Sequence, residues 1–230
     1  MELEKIMKSA FALIFLLFGI HFSQAKTHSR VVAETRIAYQ EIDFGNNTPD
    51  YEAFAAAMQG YQKLMLQGKI KNQKLSIIDF NISANKERFW VLDMKNKKVL
   101  YHTLVAHGRN SGEEYAKTFS NTEGSYQSSL GFYLSSYTYD GKHGNSLKLL
   151  GIEKNINDAA FNRGIVIHGA SYVSEEFIKN NGRLGRSLGC PAVPEEICSN
   201  LISAIQNGSC VFIYKKDPTY FSASSLIDFI

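Results

Sequence analysis

The sequence predicts a mainly β fold with minor α, and three observations carry that reading. Short apolar runs of strand length fill the middle of the chain from Leu75 onward. Polar turn residues separate them. Helical periodicity is confined to one stretch before these runs and one near the end. A chain of 230 residues can bury most of its apolar surface in one core. Its 44% apolar and 20% charged residues match a globular composition without a disordered block. The formal charge of +3 is dispersed rather than clustered, so nucleic acid is not an expected partner.

At the start, Lys5 and Lys8 precede the apolar run from Ala10 to Ile20, and Ser23 and Ala25 follow it. That order is the order of a secretory signal peptide over residues 1–25, with cleavage after Ala25. The run is shorter than a bilayer span needs, so stable membrane insertion after cleavage is not expected. Glu2 and Glu4 offset the lysines, which keeps a retained anchor as the alternative. A lead over residues 26–46 and one domain over residues 47–230 complete the expected organisation.

Thr48-Pro49-Asp50 reads as a helix start, with Thr48 as the cap and Pro49 at the first helical position. Tyr51, Phe54, Ala55, Met58, Tyr61, Leu64 and Met65 recur at helical spacing until Gly68. Strands are predicted at 75–80, 88–93 and 99–106, the last two forming a hairpin around Lys95-Asn-Lys-Lys98. The Gly-, Ser-, Asn- and Tyr-rich segment 107–146 reads as loops that support a site, with strand candidates at 131–139 and 147–151. A buried strand from Arg163 ends at His168, and Val211–Tyr214 forms another. A helix from Pro194 to Gln206, stopped by Asn207-Gly208, lies between them.

The densest unusual segment holds His168-Gly169 and, some twenty residues on, Gly185-Arg186-Ser187-Leu188-Gly189-Cys190-Pro191. A cysteine attacks a carbonyl only as the thiolate, and an imidazole nearby can take its proton. Cys190 and His168 are therefore a candidate nucleophile and base. The N–H groups of Gly189 and Cys190 would form an oxyanion hole, because a glycine lets a carbonyl approach the main chain. The alternative reading has Cys190 as a small buried hydrophobe and His168 as a core histidine. Neither residue has companions at zinc-ligand spacing, so no metal is expected, and no cofactor motif occurs. Cys190, Cys198 and Cys210 are the three cysteines, and the odd count leaves at least one thiol unpaired. Cys198 and Cys210 read either as a disulfide or as two buried thiols.

His168-Gly169 followed by Ser187-Leu188-Gly189-Cys190 resembles the signature of the L,D-transpeptidase (YkuD-like) catalytic domain, and Gly185-Arg-Ser-Leu-Gly-Cys-Pro-Ala-Val193 resembles its divergent murein branch. The likeness extends through Ile77–Phe80, Val105–Gly112, Ser128–Tyr133, Gly141–Leu147 and Asn157-Asp158, over roughly residues 50 to 215. It implies an L,D-transpeptidase-like β-sandwich of mixed sheets with flanking helices. It also implies a periplasmic or secreted enzyme whose cysteine attacks a stem tetrapeptide of peptidoglycan, releases D-Ala and passes the acyl group to an amine. Water as the acceptor would make the protein an L,D-carboxypeptidase or endopeptidase, and a non-catalytic peptidoglycan-binding protein is a further alternative. So is a cysteine peptidase of unrelated fold, which would orient its base with an Asn or Asp. On the family pattern Cys190 is the nucleophile, His168 the base, the Gly169 carbonyl the group that orients the imidazole, and Ser187 a support of the loop. The common form also has a His before the Gly-Cys pair and an Arg after it, where this chain has Leu188 and Pro191-Ala192-Val193. Arg186 or Arg183 would supply the missing charge to the substrate, with solvated or internally paired arginines as the alternative, and Tyr133 would line the pocket.

Overall fold

A computed structural model describes residues 31–141 and 144–228. The expected signal peptide, His21, His28 and His143 lie outside these residues. Of these, residues 31–40 fall in one unit and those from Glu41 in another. Helix α1 (31–41), read from sequence only as a polar lead, ends where the second unit begins. Among the described residues no helix is long and apolar enough to cross a membrane.

Helix α2 (Tyr51–Leu66) starts two residues later than predicted, because Asp50 and not Thr48 is its cap. The Asp50 carboxylate accepts from the N–H groups of Glu52 (2.9 Å) and Ala53 (3.3 Å), which the helix itself leaves without partners. The strands are β1 (Lys74–Asp79), β2 (Phe89–Asp93), β3 (Lys98–Thr103), β4 (Gly131–Gly141), β5 (Gly144–Gly151), β6 (Val166–Gly169), β7 (Ala192–Val193) and β8 (Cys210–Tyr214). The remaining helices are α3 (Glu175–Asn181), α4 (Glu195–Ile205) and α5 (Pro218–Ala223). The chain is thus mainly β with minor α. Three short elements, α3, β7 and α5, carry too few residues for a periodic pattern to be read. Pro194 caps α4 rather than opening it, and β6 begins at Val166 because residues 154–164 turn.

All eight strands join one mixed sheet in the order β3-β2-β1-β8-β4-β5-β6-β7, with β1–β8 and β6–β7 parallel. Its ends approach each other. Ala106, just past β3, bridges Ala192 in β7 through an N–H to carbonyl bond of 2.8 Å, so the sheet curls into a nearly closed form.

Side chains alternate across a strand, so β4 separates two layers. Phe132 stacks on Phe212 (4.1 Å between ring centroids) and lies under Gly60 of α2, where the ring leaves no room for a Cβ. Ser135, of opposite parity, donates from its hydroxyl to the Ile205 carbonyl of α4 at 2.6 Å. Helices α2 and α4 therefore cover opposite faces. The α4 face continues into β5 and β6 through Leu147, Leu149, Ile167 and Gly169, and at Gly169 a Cβ would come within 3.2 Å of Glu195 and Cys198 in α4. Ser146, Lys148, Val166 and His168 alternate with these residues and point the other way. That face carries the site.

Candidate active site

His168 is buried, and its Nδ1 lies 2.9 Å from the Gly169 carbonyl. Since a carbonyl only accepts, Nδ1 carries the proton and Nε2 is left as the basic nitrogen. The His168 backbone N–H donates to the Pro191 carbonyl (3.4 Å), and His168 stands opposite Ala192 across the β6–β7 pair. Cys190 is thus two residues from the position that faces the histidine. It is partly exposed, and its Sγ lies 3.8 Å from the Gly164 carbonyl.

The cysteine loop is held from several sides. The Ser187 hydroxyl donates to the Cys190 carbonyl (2.6 Å) and accepts from the Gly189 N–H (3.0 Å). The Gly189 carbonyl accepts from the Ser128 hydroxyl at 3.1 Å. Ser187 is paired to the segment after β3, donating its N–H to the His107 carbonyl (2.9 Å) and accepting from the Arg109 N–H (2.8 Å). Because the Gly189 N–H is engaged by Ser187, only the Cys190 N–H remains from the oxyanion pair predicted from sequence; it has no hydrogen-bond partner among the described residues. Gly189 serves the loop through its backbone instead. It adopts φ +123°, and a Cβ there would sit 2.8 Å from the Gln127 carbonyl. Gly189→Ala is accordingly expected to lose about 1–3 kcal/mol in denaturant unfolding and to slow Cys190 alkylation, since the strain falls on the residue before the thiol.

Beneath the loop lies a buried network that the sequence did not disclose. Arg88 is fully buried, donating to the Val105 carbonyl from Nε (3.1 Å) and Nη2 (2.9 Å) and to the Ile82 carbonyl from Nη1 (2.9 Å). Its Nη2 also donates to His107 Nδ1 at 2.8 Å, and His107 Nε2 then donates to the Gly112 carbonyl at 3.2 Å. Burial first, and the Arg88 charge second, push His107 down to about 4, so it is a neutral support and not a second base.

The arginines expected to handle substrate charge are engaged elsewhere. Glu113 accepts from Arg186 Nη1 (2.7 Å) and Arg183 Nε (3.0 Å), and Arg186 also binds the Arg109 and Gly112 carbonyls. Both therefore take the internally paired reading. The guanidinium beside the cysteine is Arg163, whose Nη2 lies 3.5 Å from where a Gly189 Cβ would stand. Its terminal nitrogens donate to the carbonyls of Ser120 (2.7 Å) and Gln127 (2.7 Å) and to the hydroxyls of Ser129 (2.7 Å) and Ser125 (3.3 Å). These acceptors are neutral, and its charge is uncancelled. Burial pushes the Cys190 thiol up, while the Val166 N–H and the charges of Arg163 and Lys148 draw it down. The only hint in the sequence was an arginine leading directly into an apolar run.

Tyr133 does not line a pocket. It is fully buried, its hydroxyl donates to the Ser129 carbonyl (3.0 Å), and burial drives its ionisation far up. Cys198 and Cys210 are both buried free thiols, which settles the pair on the second reading; one sits in α4 and the other in β8. A groove of about 580 Å³ lined by Glu87, His102, Glu175, Glu176 and Glu196 opens between β3 and the starts of α3 and α4, and it contains neither Cys190 nor His168. Among the described residues no group of His, Cys, Asp or Glu could hold a metal ion.

The family model of the L,D-transpeptidase catalytic domain matches residues 46–214. No curated protein matches in sequence. Solved structures that match include an L,D-transpeptidase from Mycobacterium smegmatis, at 12% identity over 62% of this chain and 59% of that one with a TM-score of 0.39. Another is an L,D-transpeptidase from Stackebrandtia nassauensis (16% identity, 73% and 68% covered, TM-score 0.37). A third is the helical cell shape determining protein Pgp2 from Campylobacter jejuni (15% identity, 70% and 56% covered, TM-score 0.43). This chain spans less than two thirds of the length of the first of these.

Proposed function

The chain belongs to the L,D-transpeptidase catalytic-domain family, and from that premise we propose that it is a peptidoglycan L,D-transpeptidase of the cell envelope with Cys190 as nucleophile and His168 as base. The observation that carries this reading is the His168 Nδ1 to Gly169 carbonyl bond on a strand paired to the cysteine segment. It leaves Nε2 as the basic nitrogen on a strand paired to the segment that carries the thiol, and a backbone carbonyl does the orienting that an Asn or Asp would do in an unrelated peptidase.

Because burial raises the thiol, the resting enzyme holds Cys190 as SH. Nε2 takes that proton as sulfur attacks the carbonyl that joins the L-centre of the tetrapeptide to its terminal D-Ala. The oxyanion forms beside the free Cys190 N–H. His168 then returns the proton to the departing amine of D-Ala, leaving a thioester on Cys190. A neutral amine from a second stem peptide, or from a free D-amino acid, attacks the thioester and gives a proton to His168 as the C–N bond forms; His168 passes it to the sulfur as the C–S bond breaks, so the new amide departs with the thiol restored.

Incubating the protein with a disaccharide tetrapeptide and reading the products by mass spectrometry tests the proposal. The expected result is an enzyme adduct lighter than the sum of its parts by one D-Ala, followed by cross-linked dimer. Tripeptide without dimer would assign the hydrolytic role instead, and binding without any adduct would assign a non-catalytic one.

A further inference from the structure

A carboxylate-bearing donor needs a cation beside the thiol, and Arg183 and Arg186 are turned to a shared Glu113, which offsets one of their two charges, and to loop carbonyls. Two other cations flank Cys190 without a carboxylate partner among the described residues. Arg163 has all its terminal N–H groups committed to neutral oxygens, so it contributes charge but no free donor. Lys148 differs. Its backbone pairs with Val166, whose own N–H is directed at the Cys190 sulfur, so its side chain rises on the same face as Val166 and His168. Its Nζ is held 4.7 Å over the Phe161 ring, a contact that orients the ammonium while leaving its hydrogens free. Phe161 is itself exposed and meets Tyr137 edge-on, which gives this cation an accessible aromatic rim.

We infer that Lys148, presented on Phe161 and reinforced by the fixed charge of Arg163, is the residue that binds a carboxylate of the donor peptide next to Cys190. This rests on the acyl-transfer reading for the identity of the ligand, but the cationic character of the site does not. Strand pairing fixes the lysine opposite Val166, a single carboxylate can approach its free N–H groups, and the like charge of Arg163 adds to the attraction for that carboxylate.

The test compares two reagents that alkylate the same thiolate, iodoacetate and iodoacetamide, on the full chain. Any change in thiol ionisation affects both rates equally, so their ratio reads the local charge met by an incoming carboxylate. Lys148→Met is expected to lower the iodoacetate to iodoacetamide ratio at Cys190 by about 3- to 10-fold, and Lys148→Arg to restore it. An unchanged ratio in Lys148→Met overturns the inference. With tetrapeptide as substrate, Lys148→Met is expected to raise KM for the free acid over that for the C-terminal amide by a similar factor, since any change in thiol ionisation falls on both substrates alike. Equal losses on acid and amide would also overturn it. If the wild type turns over neither substrate while the alkylation ratio still falls, the acyl-transfer reading fails and the anion site stands.

Discussion

Replacing Cys190 by Ala is expected to abolish acyl transfer, lowering turnover by roughly 10⁴-fold or more, and to remove the covalent adduct from the mass spectrum. Removing the sulfur removes the atom on which the proposed thioester forms. The fold should be untouched. Cys190 is partly exposed, its sulfur has only a weak 3.8 Å contact with the Gly164 carbonyl, and the bonds that shape its loop come from its own carbonyl, Ser187 and Gly189. Denaturation midpoints of the variant and the wild type should therefore agree. His168→Ala should cost about 10²- to 10⁴-fold, and the double variant should be no worse than Cys190→Ala, because a base without its nucleophile has nothing to activate. Full activity in Cys190→Ala would sink the mechanism outright.

The second large effect concerns stability. Arg88→Met is expected to destabilise the protein by roughly 3–5 kcal/mol, measured by chemical denaturation at neutral pH. The methionine fills part of the space, but it strands the Val105 and Ile82 carbonyls and the acceptor nitrogen of His107 in a dry interior. A linked pH effect identifies the network. His107 is held down to about 4 in the folded chain against an ordinary 6.5, by burial first and then by Arg88. The unfolded chain therefore binds a proton that the folded chain refuses. Stability from this group is complete above pH 6.5 and is lost on acidification, by about 1.4 kcal/mol per pH unit until pH falls through 4. Without the charge of Arg88 His107 is held down less, so the acid loss should end at a higher pH. An acid loss that ends at the same pH in Arg88→Met and the wild type would mean that Arg88 does not act on His107.

The cysteine loop depends on the same network. The His107 carbonyl receives the Ser187 N–H, and Ser187 in turn holds both Gly189 and Cys190. Loss of Arg88 should therefore slow Cys190 alkylation as well as lower stability, although Arg88 touches neither catalytic group.

Much of the fold was legible because it is written locally. The periodic stripe of α2, the alternating and apolar runs of β1 to β5 and β8, and the Asn207-Gly208 stop all express preferences of consecutive residues. Where reading failed, a neighbour decided. Asp50 took the cap from Thr48 because its carboxylate reaches two N–H groups. Strand β7 exists only because Ala192 and Val193 find His168 and Gly169 beside them, and a two-residue strand has no periodicity to detect.

The sequence by itself determined the class of fold, and it singled out Cys190, His168, the Gly169 carbonyl and Ser187 as the candidate site because they lie in one short glycine-punctuated segment. Tertiary structure alone decided how charge is distributed around that site. Glu113 engages both Arg183 and Arg186 from more than 65 residues away in the chain and offsets one of their two charges, Arg163 keeps its charge by bonding only to neutral oxygens, and strand register sets Lys148 opposite Val166. Electrostatic partners are chosen by distance in space, and a charge reads the same in a sequence whether it is spent or free.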